Sequence, residues 1–351
     1  LRARSKAFSM LLSKGLIRIG LPIPAGAEFV LVDVDDPYGY ASASELSLFR
    51  RPIPSTNLRF LTAVMWDGRE SFAPLGTTPI LSSAPPDVNA AALLLDLKHQ
   101  ANDATLTHAQ GASPLPDDLA EAIVRFEMNL ATAQQKLHHA GELDAKGGEG
   151  GPAFVAMQPF YVTINDVLGA DTGGVPFDPD AMTLFRAWAG SRNPNRAAVA
   201  RGAKIFGTKA IAITGVGGLN DALGLPTIAG TCTTCHDSPN IGDHSVALPI
   251  DIGLTDASRR TPDMPLYTLR NLQTGQTRQT TDPGRALLTG HWADIGKFKG
   301  PVLRGLAARP PYFHNGFAAD LGAAVDFYDT RFSIGFTNQE KADLIEFLNS
   351  L

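Results

Sequence analysis

The chain has 351 residues, 44% of them hydrophobic and 19% charged, with a formal net charge of −5 at pH 7. That length gives room for two packed units, and so mild an acidic balance offers no attraction for nucleic acid or an anionic membrane surface. No apolar run approaches the ~20 residues that a membrane-spanning helix needs, and 34 Gly with 25 Pro point to helices set in long connections.

The first twenty residues, LRARSKAFSMLLSKGLIRIG, place basic residues ahead of a short apolar run. Lys14 and Arg18 interrupt that run and no small-residue cleavage site follows, so the stretch is expected to be an amphipathic helix rather than a signal peptide. Residues 1–140 read as one unit that ends in a helix over PLPDDLAEAIVRFEMNLATAQQKLHH. Asp117 and Asp118 suit the positive end of a helix dipole, and Leu119, Ile123, Phe126 and Leu130 recur at helical spacing. From 141 to 180 the composition shifts to Gly, Pro and Asp, and a linker or long loop is expected.

A second unit, 181–351, opens with NPNRAAVARGAKIFGTKAI, a helix with Pro194 near its start and Gly202 four residues before Phe206. It closes with TNQEKADLIEFLNSL, where Thr337 and Glu340 form a capping box and Leu344, Ile345, Leu348 and Leu351 make an apolar stripe. Between these helices lies Cys232-Thr233-Thr234-Cys235-His236, which uses both cysteines of the chain. This is the spacing for covalent haem attachment: two thiols add to the two vinyl groups on one edge of the macrocycle, and the adjacent imidazole binds iron. A zinc site would need further Cys or His ligands at matching spacing. A redox dithiol needs no trailing His, and a disulfide across two residues would close almost no loop. Attachment of this kind takes place outside the cytoplasmic membrane, so the expected compartment is the periplasm. Gly202 and Phe206 facing the closing helix look similar to the crossed helices of small haem cytochromes, where a small residue lets two backbones approach.

Two further stretches carry a family resemblance. FKGPVLRGLAARPPYFHNGFAADLGAAVDFYDTRF (298–332) and VMWDGRE (64–70), with the haem motif between them, resemble the bacterial di-haem cytochrome c peroxidase family in the expected order over 57–351. The resemblance implies a mainly α fold of two cytochrome c-like helical domains with long loops. It implies a peroxide-reactive haem in the N-terminal domain, an electron-transfer haem in the C-terminal domain, and a tryptophan between them. Trp66 is then the inter-haem relay candidate, His236 the proximal iron ligand, and His314 a residue that orients the pocket. Hydrogen peroxide is the implied substrate and a small redox protein or other donor the implied partner, with a homodimer left open. The family's distal methionine position falls on Tyr328. In the branch that matures a tryptophan-derived quinone cofactor in another protein, an iron-binding tyrosine stands there. Tyr328 as core packing and Met264 as the ligand remain alternatives. The resemblance also implies a calcium ion between the domains, with the carbonyls of Arg309 and Pro311 and the side chain of Asn57 as candidate ligands.

The chain departs from the family in three places. No cysteine precedes Cys232, so one haem c is attached here, and the resemblance places a second motif upstream of Leu1; a one-haem electron-transfer protein without peroxidase activity is the alternative. The loop after the Trp-Asp-Gly-Arg element, SFAPLGTTPILSSAPPDVN, offers no glutamate to assist peroxide cleavage, and Glu70 comes too early. Gln100 and His108 are later polar candidates for a distal pocket, and Gly305 replaces the usual Asn after Leu-Arg.

Overall fold

The computed structural model describes residues 8–71 and 86–351. The loop 71–89 therefore lies mostly outside the described residues. Helices exceed strands among them, but the mainly α expectation needs refinement, because four small antiparallel sheets, none wider than three strands, join the helices. The expected N-terminal amphipathic helix is one instance. Among the described residues it spans Ser9–Lys14 and stops where Gly15 takes a left-handed φ of 62° and donates its N–H to the Leu11 carbonyl. The alternating residues that follow form the strand Ile17–Leu21, paired antiparallel with Leu46–Arg50.

The strand Phe29–Asp35 pairs with Leu266–Asn271, which in turn pairs with Thr277–Thr280. This sheet joins the first fifty residues to the second half of the chain, and Phe29, Leu46 and Leu48 share one core with Tyr267, Leu269 and Ile295. A second core sets Leu58, Phe60 and Val64 against Leu93, Val124, Ile241 and Val302. The packing thus crosses the limits at 140 and 181 that composition marks. The stretch 141–180 is poor in regular structure yet tightly packed: an added Cβ at Gly148 would lie 2.7 Å from the Trp188 ring, and one at Gly150 would lie 2.5 Å from Leu143 Cβ. Its glycines serve close approach to the core that holds Leu143, Phe185 and Trp188, not tether freedom.

The helix Asp117–Met128 forms as expected, but its buried face differs. Ala120 and Val124 are fully buried, whereas Leu119 and Phe126 are 46% and 66% exposed. Their periodic spacing fits the next stripe of the helix as well as the buried one, and periodicity alone does not choose between adjacent stripes.

The helices Pro194–Thr208 and Asn338–Asn349 cross as the sequence suggests. Asn193 caps the first with its side-chain oxygen, and the Thr337/Glu340 box caps the second. Gly202 sits at the crossing, where an added Cβ would collide with the Asp343 carbonyl and stand 2.6 Å from Phe347 Cβ. Arg201 braces the contact with two hydrogen bonds of 2.7 Å to the buried Asp343 carboxylate. Gly202→Ala is therefore expected to destabilise the chain by about 1–3 kcal/mol through overpacking, read as a lower midpoint in urea denaturation; an unchanged midpoint would mean the helices do not approach this closely in solution.

Candidate haem site

The hairpin Ile211–Thr214/Thr227–Gly230 delivers the chain into a tight turn at Cys232–Thr234. Thr231 and Thr234 cap each other across the turn, and the His236 N–H donates to the Cys232 carbonyl at 3.1 Å. Cys232, Cys235 and His236 consequently line one cavity, and the rest of its wall is almost wholly aliphatic and aromatic. Burial pushes both thiols up to about 12, so they stay protonated at neutral pH and lack the thiolate character of a redox dithiol. In a haem-loaded chain these two sulfur atoms would be thioethers.

His236 donates from Nδ1 to the Gly242 carbonyl at 2.6 Å, which leaves the Nε2 lone pair free. Burial lowers its pKa, so the ring is the neutral species a metal requires. Phe206, from the crossed helix, lies 5.9 Å from the imidazole centroid to centroid. Behind this turn the buried Asp237 accepts from His244 Nδ1 at 2.9 Å and from the Ser245 N–H at 2.7 Å, fixing the loop that carries Gly242. Two half-buried sulfurs and an oriented imidazole on an apolar cavity fit a covalently held tetrapyrrole.

The same cavity gathers residues distant in sequence: Trp66, His314 and Tyr328 all line it. Tyr328 comes from the helix Leu321–Phe332, with Phe313 and Phe332 packed beside its ring. Burial raises its phenol pKa, with the nearby Cys235 and Cys232 acting in the same direction, so Oη keeps its proton unless a cation stabilises the phenolate. Met264 is a correction to the sequence reading. It does not line the cavity; it is buried with Met10 and Leu16 in a separate core, where its segment is held by Arg260 Nε donating to the Met264 carbonyl.

His314 is buried, stacked on Phe298 at 3.8 Å between centroids, with the Trp66 ring 6.3 Å away. Burial lowers its pKa to about 4, and its Nε2 has no hydrogen-bond partner. The dipeptide Arg50-Arg51 positions both rings. Trp66 Nε1 donates to the Arg51 carbonyl at 2.8 Å, and the Arg51 N–H donates to the His314 carbonyl at 2.7 Å. Arg50, 1% exposed, donates to Asp67 at 2.6 Å and to Asp282 at 2.7 and 2.9 Å. Burial alone would lower its pKa, but the two carboxylates reverse the shift. Burial likewise works against the Asp67 carboxylate, yet Arg50 and Arg69 outweigh it and hold the group at about 2. Sequence reading passed over Arg50 and Asp282, because the partners lie 17 and 232 residues away and no local spacing marks them.

The calcium expectation meets occupied oxygens. Asn57 is buried with its side chain bonded both ways to Thr132, and the Arg309 carbonyl accepts from Arg51 Nη1 at 2.8 Å. A guanidinium already occupies the position against that carbonyl, which disfavours a second cation. Pro311 follows directly after Pro310 in the same loop. Gln100 and His108 do not line the cavity, and Glu70 pairs with His99 outside it.

No family model matches the chain. It is 31% identical over 140 residues to the cytochrome-c peroxidase IdrP1 of Pseudomonas sp. (strain SCT), covering 34% of this chain and 36% of that one. It is 29% identical over 132 residues to the cytochrome-c peroxidase IdrP2 of Denitromonas iodatirespirans, covering 35% and 36%. The match spans about a third of the length of these curated relatives, and within it the chain resembles proteins named cytochrome c peroxidase, as its motifs do. A solved MauG-like protein associated with microbial copper homeostasis aligns over 89% of this chain and 77% of its own at a TM-score of 0.40 and 16% identity.

Replacing Arg50 by Met would leave two buried carboxylates without their partner and is expected to cost about 3–5 kcal/mol. The Asp67 carboxyl is lowered to about 2 in the folded chain, against roughly 3.9 unfolded. Its contribution is therefore present above about pH 4 and lost as pH falls towards 2. Urea titrations between pH 2 and 5 should show a shallower acid loss in Asp67→Asn than in the parent; equal slopes would refute the assignment.

Proposed function

We propose that the chain carries the electron-handling haem of a peroxidase-like c-type oxidoreductase, with hydrogen peroxide as substrate and a small redox protein or comparable donor as partner. The observation that carries the reading is the single cavity onto which Cys232, Cys235, His236, Trp66, His314 and Tyr328 converge from four separate segments. When bound, haem c supplies a one-electron iron couple. Cys232 and Cys235 anchor the ring edge, and His236 offers Nε2 because Gly242 holds Nδ1. In this reading Tyr328 would be the second residue to hold the iron, since it lines the same cavity as His236. A phenolate is a hard anionic donor that favours oxidised iron, and its Oη must release a proton to ligate. His314, neutral down to about pH 4 and with Nε2 unpartnered, can exchange a hydrogen bond inside the cavity. Trp66 reaches from the cavity wall to the Arg51 carbonyl and is the relay by which charge would leave the site. Covalent attachment of this type occurs outside the cytoplasmic membrane, which supports the periplasm as the compartment in this reading.

A second reading, a one-haem electron carrier, rests on the single attachment motif in the sequence. Haem stoichiometry and peroxide turnover of the holoprotein separate the two: a fully six-coordinate single haem inert to peroxide would establish the carrier. For the ligand, Tyr328→Phe is expected to change the low-spin spectrum and raise the reduction potential, because an anionic donor is lost. Unchanged optical and redox properties would remove Tyr328 from the iron.

A further inference from the structure

Outside the haem cavity, Glu70, His99 and Asp103 form a cluster that the proposed function does not use. His99 and Asp103 lie one turn apart near the end of the helix Pro86–Asp103, so their side chains share a face. Glu70 reaches that face from the turn that carries Trp66, where the Val64 N–H donates to the Glu70 carbonyl. His99 Nδ1 stands 2.9 Å from Glu70 Oε2, and one ligand atom from each of the three residues falls within 4.8 Å of the others. The Glu70 side chain is 15% exposed and that of His99 67%, so the carboxylate forms a floor and the imidazole an open rim.

We propose that Glu70, His99 and Asp103 bind a divalent transition metal of the zinc class, clipping the helix Pro86–Asp103 to the Trp66 turn. One imidazole nitrogen and two carboxylate oxygens, with a solvent-facing position left for water, make the donor number of an open zinc site. The imidazole favours zinc-like ions over the oxygen-seeking calcium and magnesium. Without the ion, the contact between His99 Nδ1 and Glu70 Oε2 keeps the donors close together. The clip would restrain the turn that presents Trp66 to the cavity, while the metal itself stays outside it.

The test is equilibrium dialysis of the intact haem-loaded protein against Zn2+, with Ca2+ in excess as competitor. A His138→Ala/His139→Ala background removes the exposed histidine pair, whose Nδ1 atoms lie 3.1 Å apart and could hold zinc by themselves. The expected result is one zinc per chain, not displaced by calcium. His99→Ala and Glu70→Gln should each weaken it by more than about tenfold, the loss that even an outer-shell change at a metal site can cause. Zinc bound equally well by His99→Ala, no zinc bound by the background protein, or zinc displaced by calcium would each overturn the proposal.

Discussion

A guanidinium buried between two carboxylates governs the arrangement of this chain. Arg50 has almost no contact with water, and its charge is balanced by Asp67 and Asp282, with Arg69 as a second cation on Asp67. Such a group is costly to bury unless every partner is in place, so it fixes where three remote segments meet. Its neighbour Arg51 then uses backbone alone to hold the Trp66 indole and the His314 carbonyl. Arg50 also lies 5.6 Å over the Phe298 ring on which His314 stacks. One buried ionic network thereby sets the geometry of the cavity's aromatic side, and Gly68, with a φ of 83°, lets the Asp67 turn close beneath Arg285.

The side of the cavity that carries Cys232, Cys235 and His236 is built by a different kind of force. There the chain uses short-range hydrogen bonds, the mutual capping of Thr231 and Thr234 and the His236–Gly242 contact, on a scaffold of aliphatic packing. Local bonds make that part of the site nearly autonomous, whereas the Trp66–His314 side depends on contacts across more than two hundred residues.

This division explains what could be read from the sequence. The cluster Cys232, Cys235 and His236 was legible because its residues are adjacent, and their spacing alone marks the haem-attachment pattern. The Gly202 crossing and the Thr337/Glu340 cap were legible for the same local reason. Tyr328 was reached only by analogy, since its helix face would read the same for core packing. Met264 was a plausible donor by residue type, but only tertiary packing revealed its seat among Met10 and Leu16. The strand Phe29–Asp35 carries little local signal, because its partner, Leu266–Asn271, lies more than two hundred residues away. Short strands of this kind gain their stability from the pairing, not from their own pattern.

The Gly202 crossing has a consequence for the iron ligand. Phe206 lies one turn beyond Gly202, and its ring touches both Phe347 on the opposing helix and His236. The distance between two helix backbones is thereby transmitted through one aromatic ring to the imidazole that would hold iron. Thermodynamic stability and ligand geometry would then be coupled traits: a change that loosens the helix pair would also shift the imidazole of His236.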